Sequence, residues 1–224
     1  MWSYFRKLSL VVLVLWMGGV GLGTAGGDNT AALSKILDGL EKRYAGPGFS
    51  AKFFQESMLK AMQISDTAEG SLTVKRPGKM RWEYTIPDVQ TVVSDGRTMW
   101  IYRPADNQVM VGKAPTFFSG GKGAGFLSDI RQVRKSFAIE VLKAENDAYY
   151  RLHLTPRKAS ADLADVILSV KKNDFQVDQV ITHNAYGDET QITLSDYRFN
   201  INPKDTLFTF TPPEGADVVH VDQP

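Results

Sequence analysis

From Phe49 onward, apolar residues fall on alternate positions. Phe49, Ala51 and Phe53 alternate with Ser50 and Lys52, Leu72 and Val74 with Thr73 and Lys75, and Met80, Trp82 and Tyr84 with Arg81 and Glu83. Side chains along a strand point to opposite faces in turn, so each run reads as a β-strand with one buried face. Turn chemistry separates the runs: Arg76-Pro77-Gly78-Lys79, Ile86-Pro87-Asp88 and the hairpin dipeptide Asp95-Gly96. Met99 to Tyr102 and Gln108 to Val111 continue the series. After a pause at residues 114–135, strands resume at Ala138–Ala144, Tyr149–Thr155, Val166–Lys171, Gln176–Asn184, Gln191–Phe199 and Phe208–Thr211. Short strands joined by short turns predict an antiparallel meander, because parallel strands need long crossovers. The expected fold is mainly β (α+β), one strongly curved sheet of about ten or eleven strands.

Two segments carry a helical period instead. Asp28 to Tyr44 places Leu33, Ile36, Leu37 and Leu40 on one face, and Gly46-Pro47-Gly48 stops the helix. A second, shorter helix is expected from Phe126 to about Arg134, with Phe126, Leu127 and Ile130 as its apolar residues. It follows the glycine-rich stretch Gly120-Gly121-Lys122-Gly123-Ala124-Gly125.

The N-terminus follows another logic. Arg6 and Lys7 precede a run from Leu8 to Met17 that is apolar but for Ser9, and Gly23-Thr24-Ala25 offers small residues at a cleavage site. That order is the one found in secretory signal peptides, and the apolar run is too short for a spanning helix. Residues 1–25 are therefore expected to be removed, leaving 26–224 as a single exported domain. Two of the 26 basic residues leave with the signal, so 24 oppose 25 acidic ones and the mature charge is −1. A near-neutral chain lacks the basic surface that a nucleic-acid partner requires. The chain has no cysteine, so neither disulfides nor a lipid-bearing cysteine at the cleavage site is expected.

Searches for catalytic motifs find nothing. There is no His-Glu-x-x-His pair and no Gly-x-Ser-x-Gly elbow, and Gly120–Gly125 lacks the Lys-Ser/Thr of a phosphate loop. His153, His183 and His220 stand far apart in sequence and read as exposed strand or tail residues, with no metal site. Neither an enzyme nor a cofactor is expected.

What does stand out is an excess of large apolar side chains: Phe49, Phe53, Met80, Trp82, Tyr84 and Trp100 crowd part of one sheet. A well-filled core is one reading. The other is an apolar cavity beneath a movable lid, the lid being Leu33, Ile36, Leu37 and Leu40 together with Phe126, Leu127 and Ile130.

Longer strings then become recognisable. Gly70-Ser71-Leu72-Thr73-Val74-Lys75-Arg76-Pro77-Gly78-Lys79-Met80-Arg81-Trp82-Glu83-Tyr84 resembles the signature segment of the LolA family of periplasmic lipoprotein carriers. Pro87, Val93-Ser94-Asp95-Gly96-Arg97-Thr98-Met99-Trp100-Ile101-Tyr102 and the end Phe208-Thr209-Phe210-Thr211-Pro212-Pro213-Glu214-Gly215 continue the match in register, while residues 114–125 match least. The resemblance implies an open half-barrel of about eleven antiparallel strands with helices over a concave apolar face. It implies a soluble, monomeric periplasmic carrier of acylated lipoproteins, loaded by an inner-membrane lipoprotein-releasing ABC transporter and unloaded at an outer-membrane lipoprotein receptor. It further implies that Arg76 locks the lid and that Phe49, Phe53, Met80, Trp82, Tyr84 and Trp100 meet the acyl chains, with Met80 where the family carries an aromatic. The alternative is a half-barrel carrier or sensor for other amphiphiles, such as glycolipids.

Overall fold

The computed structural model describes residues 25–114 and 130–221, with side chains from Thr30 onward. The expected signal segment, the glycine-rich stretch, Phe126 and Leu127 lie outside the described residues.

Two antiparallel meanders share one sheet. The first comprises β1 (Gly48–Leu59), β2 (Ile64–Lys75), β3 (Lys79–Ile86), β4 (Gln90–Asp95), β5 (Thr98–Arg103) and β6 (Gln108–Lys113). The second comprises β7 (Phe137–Leu142), β8 (Tyr149–Pro156), β9 (Asp165–Lys171), β10 (Val177–His183) and β11 (Glu189–Phe199). β1 joins them by pairing with β11 from Phe49↔Phe199 to Met58↔Glu189. A short twelfth strand, β12 (Asp217–His220), completes the sheet. Its order is β12-β6-β5-β4-β3-β2-β1-β11-β10-β9-β8-β7, open at both ends.

The twelfth strand is a departure from expectation. β12 lies parallel to β6, with Asp217 opposite Gln108 and His220 opposite Val111. The strand expected at Phe208–Thr211 is instead a 3-10 turn over Asp205–Phe208 followed by irregular chain. Pro212 and Pro213 have no N–H to give a ladder, so this segment makes its contacts with side chains. Phe208 is fully buried, and Phe210 packs on Trp100 and Tyr102 at ring distances of 6.5 and 5.6 Å. Asp205 bonds Lys75 and Lys79, both at 2.9 Å, and these ammonium groups hold its carboxyl down to about 2.

The helices cover the opposite face. α1 (Ala25–Arg43) ends on Lys42 and Arg43, cations that suit a helix C-terminus. α2 (Gln132–Ser136) is a single short piece that runs directly into β7. Among the described residues, no helix is long and apolar enough to cross a membrane.

Candidate functional site

The candidate site is the covered face of the sheet. Leu33, Ile36, Leu37, Leu40 and Tyr44 recur at helical spacing, so α1 turns one stripe toward the strands. Ile36, Leu37, Leu40 and Tyr44 are buried in the same core as Ile130, with Leu33 packed at its margin. Opposite them, Phe49, Phe53, Leu72, Val74, Met80 and Trp82 form the floor. Register explains the grouping. Phe49 faces Val74, Leu72 faces Trp82 and Val74 faces Met80, so the alternating residues of β1, β2 and β3 point the same way.

Aromatic contacts give the floor its shape. Phe53 meets Trp82 edge-on at 4.8 Å and Tyr84 at 4.9 Å, while Trp82 and Tyr84 are stacked at 6.4 Å. Such geometries are favoured by the ring quadrupoles. Burial pushes the Tyr84 phenol up to about 12, so its hydroxyl stays a donor, and it bonds Gln55 Oε1 at 3.2 Å.

One end of the floor is stopped. Tyr44 crosses Phe49 and Phe199 edge-on at 5.2 and 5.3 Å, and Phe199 stacks on Tyr197 at 4.9 Å. The two hydroxyls close a ring with the backbone of one residue. Val177 N–H donates to the Tyr44 oxygen, Tyr44 O–H to the Tyr197 oxygen, and Tyr197 O–H to Val177 C=O. Burial pushes Tyr44 up to about 12 and raises Tyr197 as well, which keeps the ring of bonds intact across the ordinary pH range. Arg43 lies 3.8 Å over the Phe199 ring and pairs with Asp174 at 3.3 Å.

Two of the expected residues behave differently from the rest. Trp100 pairs with Val93, which pairs with Arg81, and it therefore points to the outer face, where Phe210 covers it. Arg76 sits at the β2–β3 turn; its amide donates to Pro47 C=O at 2.9 Å, and its Nη2 is buried.

The group that ties the helices together is one that sequence reasoning missed. Arg134 of α2 donates through Nε to Glu41 Oε1 at 2.6 Å and through Nη2 to Asp38, both carboxylates being on α1. Asp38 and Glu41 are three residues apart, neighbours on a helix surface, and that spacing is the signal that could have pointed to a shared cation. The pairs are about one-third exposed or more, so solvent screens them. Arg134→Ala should therefore cost no more than about 1 kcal/mol in global stability. It should nevertheless speed amide exchange in α1 severalfold, and unchanged α1 exchange would rule out the clasp.

Strand pairing also brings together histidines that lie far apart in the chain. On the outer face His183 Nδ1 is 2.8 Å from Asp165 and Nε2 is 3.1 Å from Glu189, and His153 lies 3.7 Å from the same Asp165. Among the described residues no cluster of three or more such groups could hold a metal ion. Partial burial would lower the His183 pKa, but bonds to Asp165 and Glu189 outweigh it and raise the value above 6.5. A raised folded pKa adds stability that is complete below the unfolded value and lost as pH rises through the folded one. The urea midpoint should thus fall modestly from pH 6 to pH 8, and His183→Gln should flatten that slope.

Comparison with known proteins agrees with this geometry. The family model described as outer membrane lipoprotein carrier protein LolA matches residues 47–211. An outer-membrane lipoprotein carrier protein of Chromobacterium violaceum is 32% identical over 157 residues, covering 70% of this chain and 74% of the relative. One of Dechloromonas aromatica is 32% identical over 170 residues, covering 75% and 79%. For the fold alone, an uncharacterized conserved protein of Thermus thermophilus superposes with a TM-score of 0.54 at 13% identity, covering 84% of this chain and 99% of that one. The matched span runs from the strand that opens the aromatic floor to the segment that covers Trp100, and by that match the chain belongs to the LolA family of outer membrane lipoprotein carrier proteins.

Proposed function

We propose that this protein carries acylated lipoproteins through the periplasm, receiving them from an inner-membrane ABC transporter and delivering them to an outer-membrane receptor. The observation that carries the reading is the apolar floor of Phe49, Phe53, Met80, Trp82 and Tyr84 beneath a thin helical cover, in a chain of this family. It acts as a monomeric carrier and not as an enzyme. Export follows from the N-terminal signal segment, whose removal frees the domain in the periplasm.

The physical need for such a carrier is large. Each methylene moved into water costs ~0.8 kcal/mol, so a chain of about fifteen opposes free diffusion by roughly 12 kcal/mol. Release requires that the cover open for a modest cost, and a helical cover clasped by the partly exposed Arg134 suits that need. Leu33, Ile36, Leu37, Leu40 and Ile130 supply the apolar underside of the cover. Arg76, beside the floor, holds the cover in its closed position. Trp100 belongs to the outer face and takes no part.

The reading is tested by incubating the purified protein with inner-membrane vesicles bearing the transporter, then with receptor-bearing outer-membrane vesicles. Soluble protein–lipoprotein complexes should form and then transfer, and failure to release any lipoprotein overturns the reading. Arg76→Leu should stay folded yet deliver several-fold less. Undiminished delivery would remove Arg76 from the mechanism.

A further inference from the structure

The covered face changes chemistry just past the aromatic trio. Three successive rows across β2, β1 and β11 can be read from the register. Gly70–Phe53–Leu194 is apolar, Ala68–Gln55–Ile192 admits one amide, and Asp66–Ser57–Thr190 is polar throughout. Side chains link these rows into one band. Tyr84 O–H donates to Gln55 Oε1 at 3.2 Å, Gln55 Nε2 donates to Ser57 Oγ at 3.1 Å, and the Ser57 and Thr190 hydroxyls lie 3.5 Å apart.

Three features distinguish this band from an ordinary structural network. Gln55, Ser57 and Thr190 are only partly buried, so desolvation does not oblige them to pair with one another. The two hydroxyl–oxygen contacts are long for hydrogen bonds, and a glutamine amide and three hydroxyls together hold more donors than these contacts use. The band also borders the floor at the end away from the Tyr44–Phe49–Phe199 stop. A ligand lying on the floor thus meets a closed aromatic end on one side and a row of neutral donors on the other.

We propose that this band receives the neutral ester and amide linkages of an acylated ligand, whose hydrocarbon chains lie on the floor with their ends toward Tyr44. The inference rests on the carrier reading and deepens it by orienting the cargo. Ester carbonyls only accept hydrogen bonds, and Tyr84, Gln55, Ser57 and Thr190 supply donors to match. The four carry no positive charge, and the adjoining Asp66 is acidic. The band therefore favours a neutral acylglyceryl linkage over a phosphate headgroup, which would need cations.

The test is competition binding with three short-chain probes of equal length: a diacylglycerol, the dialkyl ether that lacks its carbonyls, and the phosphatidic acid. The intact protein should bind the ester about fivefold more tightly than the ether, the worth of one hydrogen bond, and more tightly than the phosphatidic acid. Gln55→Leu and Ser57→Ala should each cut the ester-over-ether preference toward one while leaving ether affinity within twofold. Equal affinity of the intact protein for ester and ether overturns the band's role and leaves the apolar floor standing. Tighter binding of the phosphatidic acid overturns the neutral-linkage preference, and binding of none of the three removes the carrier reading along with it.

Discussion

Phe49→Ala should lower the unfolding free energy by about 3–5 kcal/mol, the usual cost of emptying a buried aromatic site. Phe49 is 2% exposed and touches the rings of Tyr44, Tyr197 and Phe199. It is thus the point where α1, β1 and β11 meet. Collapse around the gap is resisted because Tyr44 and Tyr197 are held by bonds to the Val177 backbone N–H and C=O. The change should appear in urea unfolding as a lower midpoint with an unaltered slope. A loss under about 1 kcal/mol would mean that this end of the floor is loosely packed.

The second large effect is expected from adding a single carbon. Gly70 follows a register shift between Glu69 and Gly70 in the β2–β3 pairing, and a Cβ there would overlap the Glu83 carbonyl oxygen and press on the Phe53 ring at 2.8 Å. The Glu83 oxygen is backbone in a paired strand, so it cannot turn aside as a side-chain tip would. Gly70→Ala should therefore cost about 1–3 kcal/mol through overpacking. The displaced ring belongs to the Phe53–Trp82–Tyr84 trio, so tryptophan fluorescence should shift as well. An alanine variant with native stability and an unchanged spectrum would show that the strand has room to move.

Most of the sheet could be read from the chain because its strands bury one face and wet the other. Met80, Trp82 and Tyr84 announce β3 for that reason, and Phe49, Ala51 and Phe53 announce the start of β1. The same logic explains what stayed hidden. Between Gln55 and Glu69 the β1–β2 hairpin carries polar or exposed residues on both faces, so alternation has nothing to mark, and the long hairpin was not legible. β12 is exposed along its length and is held by backbone bonds to a strand about a hundred positions away, which no local pattern reports.

The candidate site was legible to a similar degree. The positions 49, 53, 80, 82 and 84 lie together on the covered face because strand periodicity ties them together once register is set. Trp100 shows the limit of that argument. Periodicity places Trp100 and Tyr102 on one face and Met99 and Ile101 on the other, but both pairs are apolar. Register with β4 and cover from the distant segment around Phe208 and Phe210 decide which face each pair takes. The Arg134 clasp and the band from Tyr84 to Thr190 were hidden for a related reason, since each joins elements that meet only in space.

The open sheet leaves one matter for the tail to settle. A sheet that does not close ends in strands with unused amides and carbonyls, a ready template for another chain. β6, with Val109, Met110 and Val111 in succession, would be a tempting one. β12 occupies that border over four residues and is itself too short and too wet to invite a further strand, with Asp217 and His220 at its ends. The parallel tail strand thus works as a selvedge: it finishes this border of the fabric, so that β6 does not knit itself to the next copy.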